Sequence, residues 1–547
     1  MRGKKIIPIF LALSLTLTAC GGQKVEEQVA ESQELFEKVE ESAATASSEE
    51  IVKVPELLRG TPKEEGIHEE CIGLMEDIIK TDIENGFTSA QVAITRHGKL
   101  VYEGAFGKVN SYNRDGSINT ESGDVTNDTL YDLASVTKMF SVNYALQKMV
   151  TDGIITIDDK ISDHLGSSFY EDTIFIDYKD GSGADLDTIK EWKKNLKIAD
   201  LLRHEGGFPA SPRYHNPHVD QVTQEYDPEF ESILFSSCAA DEEAKKLTFE
   251  KICQTPLMYE PGTDRVYSDV DYMVLGFVVE KVSGMTLDEY VKTNFCEPLG
   301  LAHMTYKPLE NGFTKEDCAA TELNGNTRDG AVVFDGLRTD TVQGEAHDEM
   351  AYYCMGGVSG HAGLFSNAVD VAKMANLMLT GEFDGKTFFS HEVIDTFTAP
   401  VSDSVTNWGL GWWRQGNTER TKYFGTKAGS RCFGHQGWTG TFFMVDPDKE
   451  IVIVILTNKI NSPVTDKENN PNKFDGNFYT TGNLGFVAEL VYTGLDEDRD
   501  VSEDLSEYVN GLYESAKDDV KSSFSEEHPA RRNLKSKEEL LTRWSVE

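Results

Sequence analysis

The chain is short of positive charge. Its 547 residues carry 52 Lys and Arg against 93 Asp and Glu, a formal net charge of −41. Nucleic acid is thereby set aside as a partner, because binding a phosphate backbone needs clustered cations that displace counterions. No apolar run reaches the roughly 20 residues of a membrane-spanning helix. Cysteine is sparse and unpatterned: none of the eight lies in a Cys-x-x-Cys, and the seven beyond Cys20 are an odd number. Neither a disulfide framework nor a zinc ribbon is indicated. No Gly-x-Ser-x-Gly elbow occurs, which leaves Ser359 without a nucleophile's setting. The glycine-rich "GGVSGHAG" at 356–363 lacks the Gly-Lys-Ser/Thr ending of a phosphate loop, so it reads as packed backbone with His361 structural. There are no internal repeats.

The N-terminus, "MRGKKIIPIFLALSLTLTAC", has a basic start, an apolar run from Ile6 to about Leu17 and a small residue before Cys20. This is the pattern of a secretory signal. Its ending, Leu17-Thr18-Ala19-Cys20, resembles a bacterial lipobox, which implies that Cys20 becomes the lipidated first residue of a protein held on the outer face of the cell membrane. Residues 21–62 are acidic and almost without aromatics, as suits a solvated tether, with a short helix around Glu26 to Glu41. The length allows two or three domains or one large domain with insertions. The body is expected over 63–497, with a largely helical insertion at about 151–400, and residues 498–547 read as an appended tail, helical or partly disordered.

Within the body, "HEECIGLMEDIIKTDIENG" has helical periodicity, and "SAQVAITRHGKLVYEGAFG" alternates like two strands turning at His97-Gly98. Late in the chain, "CFGHQGWTGTFFMVDPDKEIVIVILTN" reads as strand, turn and strand, too continuously apolar for a sheet edge. First and last hairpins can share one antiparallel sheet. Ser135 and Lys138 then form the single Ser-x-x-Lys of the chain, in "ASVTK". Composition alone supplies such a pair about two or three times in a chain this long, so its context must carry the argument. On a helix, i and i+3 share a face, and a serine in the first turn meets free N–H groups that favour developing negative charge. A serine hydroxyl needs a base to attack an acyl carbon, and a lysine with a lowered pKa can be that base. Further on, Tyr267-Ser268-Asp269 precedes an apolar helix and His435-Gln436-Gly437 lies on the late strand.

In that order, Ser-x-x-Lys, Tyr-Ser-Asp and His-Gln-Gly resemble the serine β-lactamase and penicillin-binding protein family, in its class C-like branch. "LLRHEGG" resembles a further family segment with Gly206 in place of serine, and "AATE", "GEAHDEMAYYCMGGVSGHAGLFSNAVDVAKM" and "NWGLGWW" resemble a narrower group, penicillin-binding protein 4B, of proposed D-alanyl-D-alanine carboxypeptidases. The resemblance covers about residues 63 to 495. It implies an α/β (α+β) fold, an antiparallel sheet flanked by helices plus an all-helical lobe, with the site between them. It also implies roles: Ser135 the acylated nucleophile; Lys138 and Tyr267 sharing the base, the tyrosine as phenolate; His435 binding the substrate carboxylate or keeping Tyr267 deprotonated; Asp269 and Gly437 in the substrate site; and the backbone N–H groups of Ser135 and Trp438 an oxyanion hole. Asp269 stands where the family has Asn, so it can pair with Lys138 but cannot donate as an amide does. His435 stands for the usual Lys and titrates near neutrality when unperturbed.

The implied activity is that of a membrane-anchored serine hydrolase forming an acyl-enzyme. The substrate is a peptidoglycan stem peptide or another small acyl compound, and β-lactams are covalent inhibitors. A serine esterase or β-lactamase of the same family, and a catalytically weak penicillin- or peptidoglycan-binding protein, are the alternatives. No cofactor or metal is called for, since Ser, Lys, Tyr and backbone amides complete the chemistry. His215 and His218 form an His-x-x-His with Pro217 inside it, which reads as loop. His204 and His347 read as structural, and Trp408, Trp412 and Trp413 suit a cleft or a core equally.

Overall fold

His97 and Gly98 take φ of 49° and 73°, the backbone that lets a two-residue turn follow the twist of its strands. They join β2 (Ser89–Arg96) to β3 (Lys99–Gly107). The computed structural model describes residues 56–223, 225–417, 420–495 and 499–545, so Cys20 and the helix expected at Glu26 to Glu41 lie outside the described residues. The acidic segment enters the body before residue 62: β1 (Leu58–Arg59) pairs parallel with β3. With β4 (Trp413–Arg414), β5 (Phe433–Gly437), β6 (Thr441–Asp446) and β7 (Ile451–Thr457), they form a seven-stranded sheet in the order β1-β3-β2-β7-β6-β5-β4. First and last hairpins do share it, Ala93 facing Val454 across the β2–β7 seam.

Alternation sorts this sheet into two faces. Ala93, Val454, Phe443 and His435 lie in one cross-strand row; Val92, Ile455, Phe442 and Gln436 lie in the next. The apolar members of the first row join the core beneath the helical lobe. Those of the second join a separate core covered by α1 (Glu69–Glu84), whose Cys71, Leu74, Met75 and Ile78 recur at helical spacing.

The lobe contains α2 (Tyr144–Thr151) and α3 (Asp269–Ser283). It also contains a small three-stranded sheet, Tyr131–Asp132 and Thr305–Tyr306 flanking Leu364–Ser366. That sheet holds the approach to Ser135 against the segment around 364. Buried Lys193 donates to the carbonyls of Ile252, Cys253 and Thr255 at 2.9, 2.7 and 2.8 Å. It thus satisfies groups left open at the end of the helix Glu242–Gln254.

After α4 (Phe486–Thr493) come α5 (Ser502–Glu514), α6 (Lys517–Ser523) and α7 (Pro529–Trp544). This segment is packed onto the body. Leu505, Val509 and Leu540 enter the core of α1, and Trp544 donates its indole N–H to Asp77 at 2.9 Å. Seven cysteines, Cys71 to Cys432, are free thiols. Among the described residues, no helix is long and apolar enough to cross a membrane.

Candidate active site

Ser135 sits in a 3-10 turn, Ala134–Val136, followed by a π turn, Met139–Asn143. The helix predicted to open here does so: Thr137 and Lys138 are α-helical, the π turn follows them, and the helix runs on as α2 from Tyr144. Ala134 has a φ of 46°, a left-handed conformation that costs a non-glycine residue about 1–3 kcal/mol. Buried Asp132 holds it: one carboxylate oxygen accepts the Ala134 N–H at 2.7 Å and the other the His347 N–H at 2.6 Å.

Lys138, fully buried, donates to Asp269 Oδ1 at 2.8 Å, Ser135 Oγ at 3.0 Å and the His361 carbonyl at 3.3 Å. The Tyr267 phenol is a fourth oxygen in its reach, the ring centroid 4.8 Å away. An ammonium has three N–H groups and no lone pair, so four oxygens share three donors and the group has no site to accept a proton. Burial disfavours the charge, but Asp269 and Tyr267 outweigh it and hold the lysine above its ordinary pKa. This corrects the expectation of a lysine with a lowered pKa: burial acts, and a carboxylate at contact distance overrides it.

Tyr267 directly precedes Ser268, whose hydroxyl caps α3, and Asp269 is the first residue of that helix. Its phenol hydrogen-bonds with Ser135 and Lys138, yet burial pushes its pKa above the ordinary value. That direction favours the neutral phenol over the phenolate that the resemblance implies. Behind it lies the His204 ring, centroid 4.3 Å away, with Nδ1 2.9 Å from buried Asp271. His204, read from sequence as structural, thus forms the wall of the tyrosine's slot.

His435, on β5, is fully buried, and burial pulls its pKa down to about 3, with Lys138 adding to the shift. Its Nδ1 lies 2.7 Å from the Gln436 carbonyl. A carbonyl only accepts, so the single ring proton is on Nδ1 and Nε2, buried without a hydrogen-bond partner, is an acceptor. With its ring proton given to the Gln436 carbonyl and its pKa drawn down, His435 carries no charge in the unliganded protein, which runs against both roles that the resemblance implies. Its ring lies 6.2 Å from that of Tyr267 and 5.0 Å from that of Trp413. Arg420 stacks on Trp413 at 4.0 Å and its charge reaches His435.

Gly437 is where β5 meets the nucleophile's turn. A Cβ there would lie 2.3 Å from the Leu133 carbonyl oxygen and 2.2 Å from Thr441 Oγ1. Thr439 and Thr441 donate their hydroxyls to the Asp132 and Leu133 carbonyls at 2.8 and 2.9 Å, tying strand to turn. Trp438, 38% exposed, stacks on the His347 ring at 5.1 Å and carries Arg328 over its face. At Gly206 a Cβ would meet the side-chain tips of Leu201 and Asp271 at 2.4 and 2.9 Å, so the serine of the family pattern would require both to shift.

Ser135, Lys138, Tyr267, Asp269, His435, Gly437 and Trp438 therefore converge. Sequence reading missed Asp132 and Asp348, and read His361 as structural. His361 gives Lys138 its third acceptor, while its ring bridges Ser359 and Asp348 at 2.7 Å each. The one available signal was that "GGVSGHAG" joined four glycines to a histidine. Asp269, Asp348 and His361 each bring a ligand atom within 4.8 Å of the others, the one such group among the described residues. The Lys138 ammonium pairs with Asp269, while Asp348 is held below its ordinary pKa against burial chiefly by His361, with Lys138 adding to the shift. His215 and His218 do not form a metal pair: His215 stacks on Tyr353 and His218 binds the Phe230 carbonyl. Trp412 is core, whereas Trp413 packs on His435 and Trp408 on His204 and Arg420.

A serine under a lysine, a tyrosine and a close-approaching strand is the equipment of an acyl-transfer enzyme, and the comparisons agree. Residues 74–478 match the family model described as Beta-lactamase, and the chain belongs to the β-lactamase family and is a serine hydrolase of it. It is 41% identical over 456 residues to a protein of Escherichia coli (strain K12) named "Putative D-alanyl-D-alanine carboxypeptidase", covering 83% of this chain and 97% of that one. The fold matches a penicillin-binding protein homologue from Caulobacter crescentus, with TM-score 0.52 and 18% identity over 78% of this chain and 98% of that one. It also matches EstCE1, a hydrolase with promiscuous acyltransferase activity, with TM-score 0.53 and 20% identity over 78% and 99%.

Proposed function

We propose that the protein is a D-alanyl-D-alanine carboxypeptidase, open to acylation by β-lactams, held by lipid at Cys20 on the extracytoplasmic face of the bacterial membrane and acting on peptidoglycan stem peptides. The observation that carries the chemistry is the committed ammonium of Lys138, which leaves the Tyr267 oxygen as the group that can take the Ser135 proton. The relative at 41% identity supports the choice of substrate, and the lipobox-like Leu-Thr-Ala-Cys supports the anchor.

Ser135 Oγ attacks the carbonyl of the penultimate residue. Its proton passes to the Tyr267 oxygen as the phenolic proton passes to the leaving nitrogen; the C–N bond breaks, D-alanine departs and the acyl group stays on Ser135. Water then retraces the path, giving its proton through Tyr267 to Ser135. The N–H groups of Ser135 and Trp438 receive the oxyanion, and Lys138 stabilises charge on both oxygens it touches. Arg420, rather than His435, supplies the counter-charge for the terminal carboxylate.

The test is one panel with a Ser135→Ala control: fluorescent penicillin, a peptide ending in D-Ala-D-Ala, and a short-chain nitrophenyl ester. D-alanine release and penicillin labelling that both require Ser135 are expected. Ester turnover without peptide turnover would make the protein an esterase. Labelling that survives in Ser135→Ala would overturn the mechanism.

A further inference from the structure

Beneath β5, on the face away from Ser135, lies a cavity of about 550 Å³, within the size range of small-molecule sites. Gln436 is its contribution from the catalytic strand, whose neighbours His435 and Gly437 point the other way. Its remaining wall comes from Lys459 after β7, Lys422 and Tyr423, the start of α4, and Tyr508, Leu512 and Lys537 of the C-terminal helices.

Three lysines in one cavity are unexpected in a chain with 93 acidic residues. Lys459 is partly buried, its one hydrogen bond is to the Gly482 carbonyl at 3.3 Å, and the charged neighbour acting on it is another cation, Lys422. Lys422 lies over the Tyr423 ring at 4.8 Å. Lys537 feels Asp82 at a distance, but Asp82 is engaged by Thr481 and Asn533. Among the described residues, none of the three lysines has a carboxylate at ion-pair distance. The one carboxylate lining the cavity, Glu489, accepts from the Thr426 N–H and hydroxyl at 2.6 and 2.7 Å. The start of α4, an eight-residue helix, is open: Gly485 provides no side-chain cap. The positive end of its dipole adds to the field of the lysines, although the Phe486 N–H is taken by the Asn483 carbonyl at 3.2 Å.

We propose that this cavity binds a small phosphorylated ligand with an apolar body, in a site that the C-terminal helices complete. Three ammonium groups call for more than one negative charge on one head, which a phosphoryl group carries and a carboxylate does not. Tyr423, Phe486, Tyr508 and Leu512 provide the surface for the apolar part. The phosphoryl group has two available sources, a lipid headgroup and a soluble phosphate ester.

The experiment is calorimetric titration of the full chain with phenyl phosphate, benzoate and dihexanoyl phosphatidic acid. Phenyl phosphate is expected to bind at least about tenfold more tightly than benzoate, and Lys459→Met or Lys537→Met to weaken it by about tenfold or more. Lys138→Met, on the other face, leaves it unchanged. Tighter binding of the phosphatidic acid identifies the lipid source, and the reverse the soluble one. Should either lysine variant fail to fold, the wild type answers by mass spectrometry, phenyl phosphate protecting Lys459 from an amine-acylating reagent. Equal binding of benzoate, no binding of either phosphate, binding untouched by both cavity lysines, or loss of binding in Lys138→Met would each overturn the proposal.

Discussion

Lys138 and Asp269 form an ion pair at 2.8 Å in which the lysine is wholly buried, and the proposed division of labour at Ser135 rests on that contact. Removing the carboxylate while keeping its shape, Asp269→Asn, leaves burial as the dominant influence on the lysine, so its pKa falls. A fraction of Lys138 then becomes a free amine within the working range. The pH profile of kcat/KM in Asp269→Asn is expected to gain a limb rising with pH that wild type lacks, and Lys138→Arg in that background to remove it.

Tyr267→Phe keeps the ring against His204 and deletes the oxygen that receives the proton. Acylation is expected to fall by about 10²–10⁴ with little change in melting temperature. Stopped-flow labelling with a fluorescent penicillin reads the first quantity and circular dichroism the second. An unchanged labelling rate would return the base role to Lys138.

His435 makes two statements about pH. Its folded pKa of about 3 lies below the unfolded value of about 6.5. The unfolded chain therefore binds more protons between these values, and the stability that goes with a neutral His435 is complete above about pH 6.5 and lost as pH falls towards 3. The melting temperature of wild type should drop more steeply over that window than that of His435→Gln. From pH 6.5 to 8 His435 stays neutral, so kcat/KM carries no inflection that His435→Gln removes.

Gly437→Ala pushes a methyl group into the Leu133 carbonyl and Thr441. Strand and nucleophile turn must separate, and displacement of that order costs about 10²-fold in rate. Loss of kcat with KM nearly unchanged is expected from steady-state assays of peptide turnover.

Lys193→Met strands three carbonyls in the lobe. A stability loss of about 3 kcal/mol or more is expected by denaturant titration. Activity per folded molecule is preserved, because the lysine touches no residue of the site.

The hairpins, α1 and the order of the three motifs were legible because each depends on local period or local chemistry: alternation in 89–107, helical spacing in 69–84, and turn residues at His97-Gly98. Electrostatic state was not legible. Whether Lys138 is a base or an ammonium depends on Asp269 and His361, far along the chain, and the neutrality of His435 on how deeply β5 is buried. At the C-terminus the reading of an appended helical tail matches α5 and α7 but leaves out their docking: among polar and charged positions a few apolar ones, Leu505, Val509 and Leu540, enter the core of α1.

The pairing of β2 with β7 also dictates when this protein can fold. The hairpin synthesised first meets its sheet partner only when most of the chain has been made, and α1 meets α7 only at the very end. Contacts so distant in sequence close slowly and leave strand edges open meanwhile. A nascent chain that has not yet released Ile451–Thr457 cannot form the central sheet, so the catalytic cleft assembles late in synthesis.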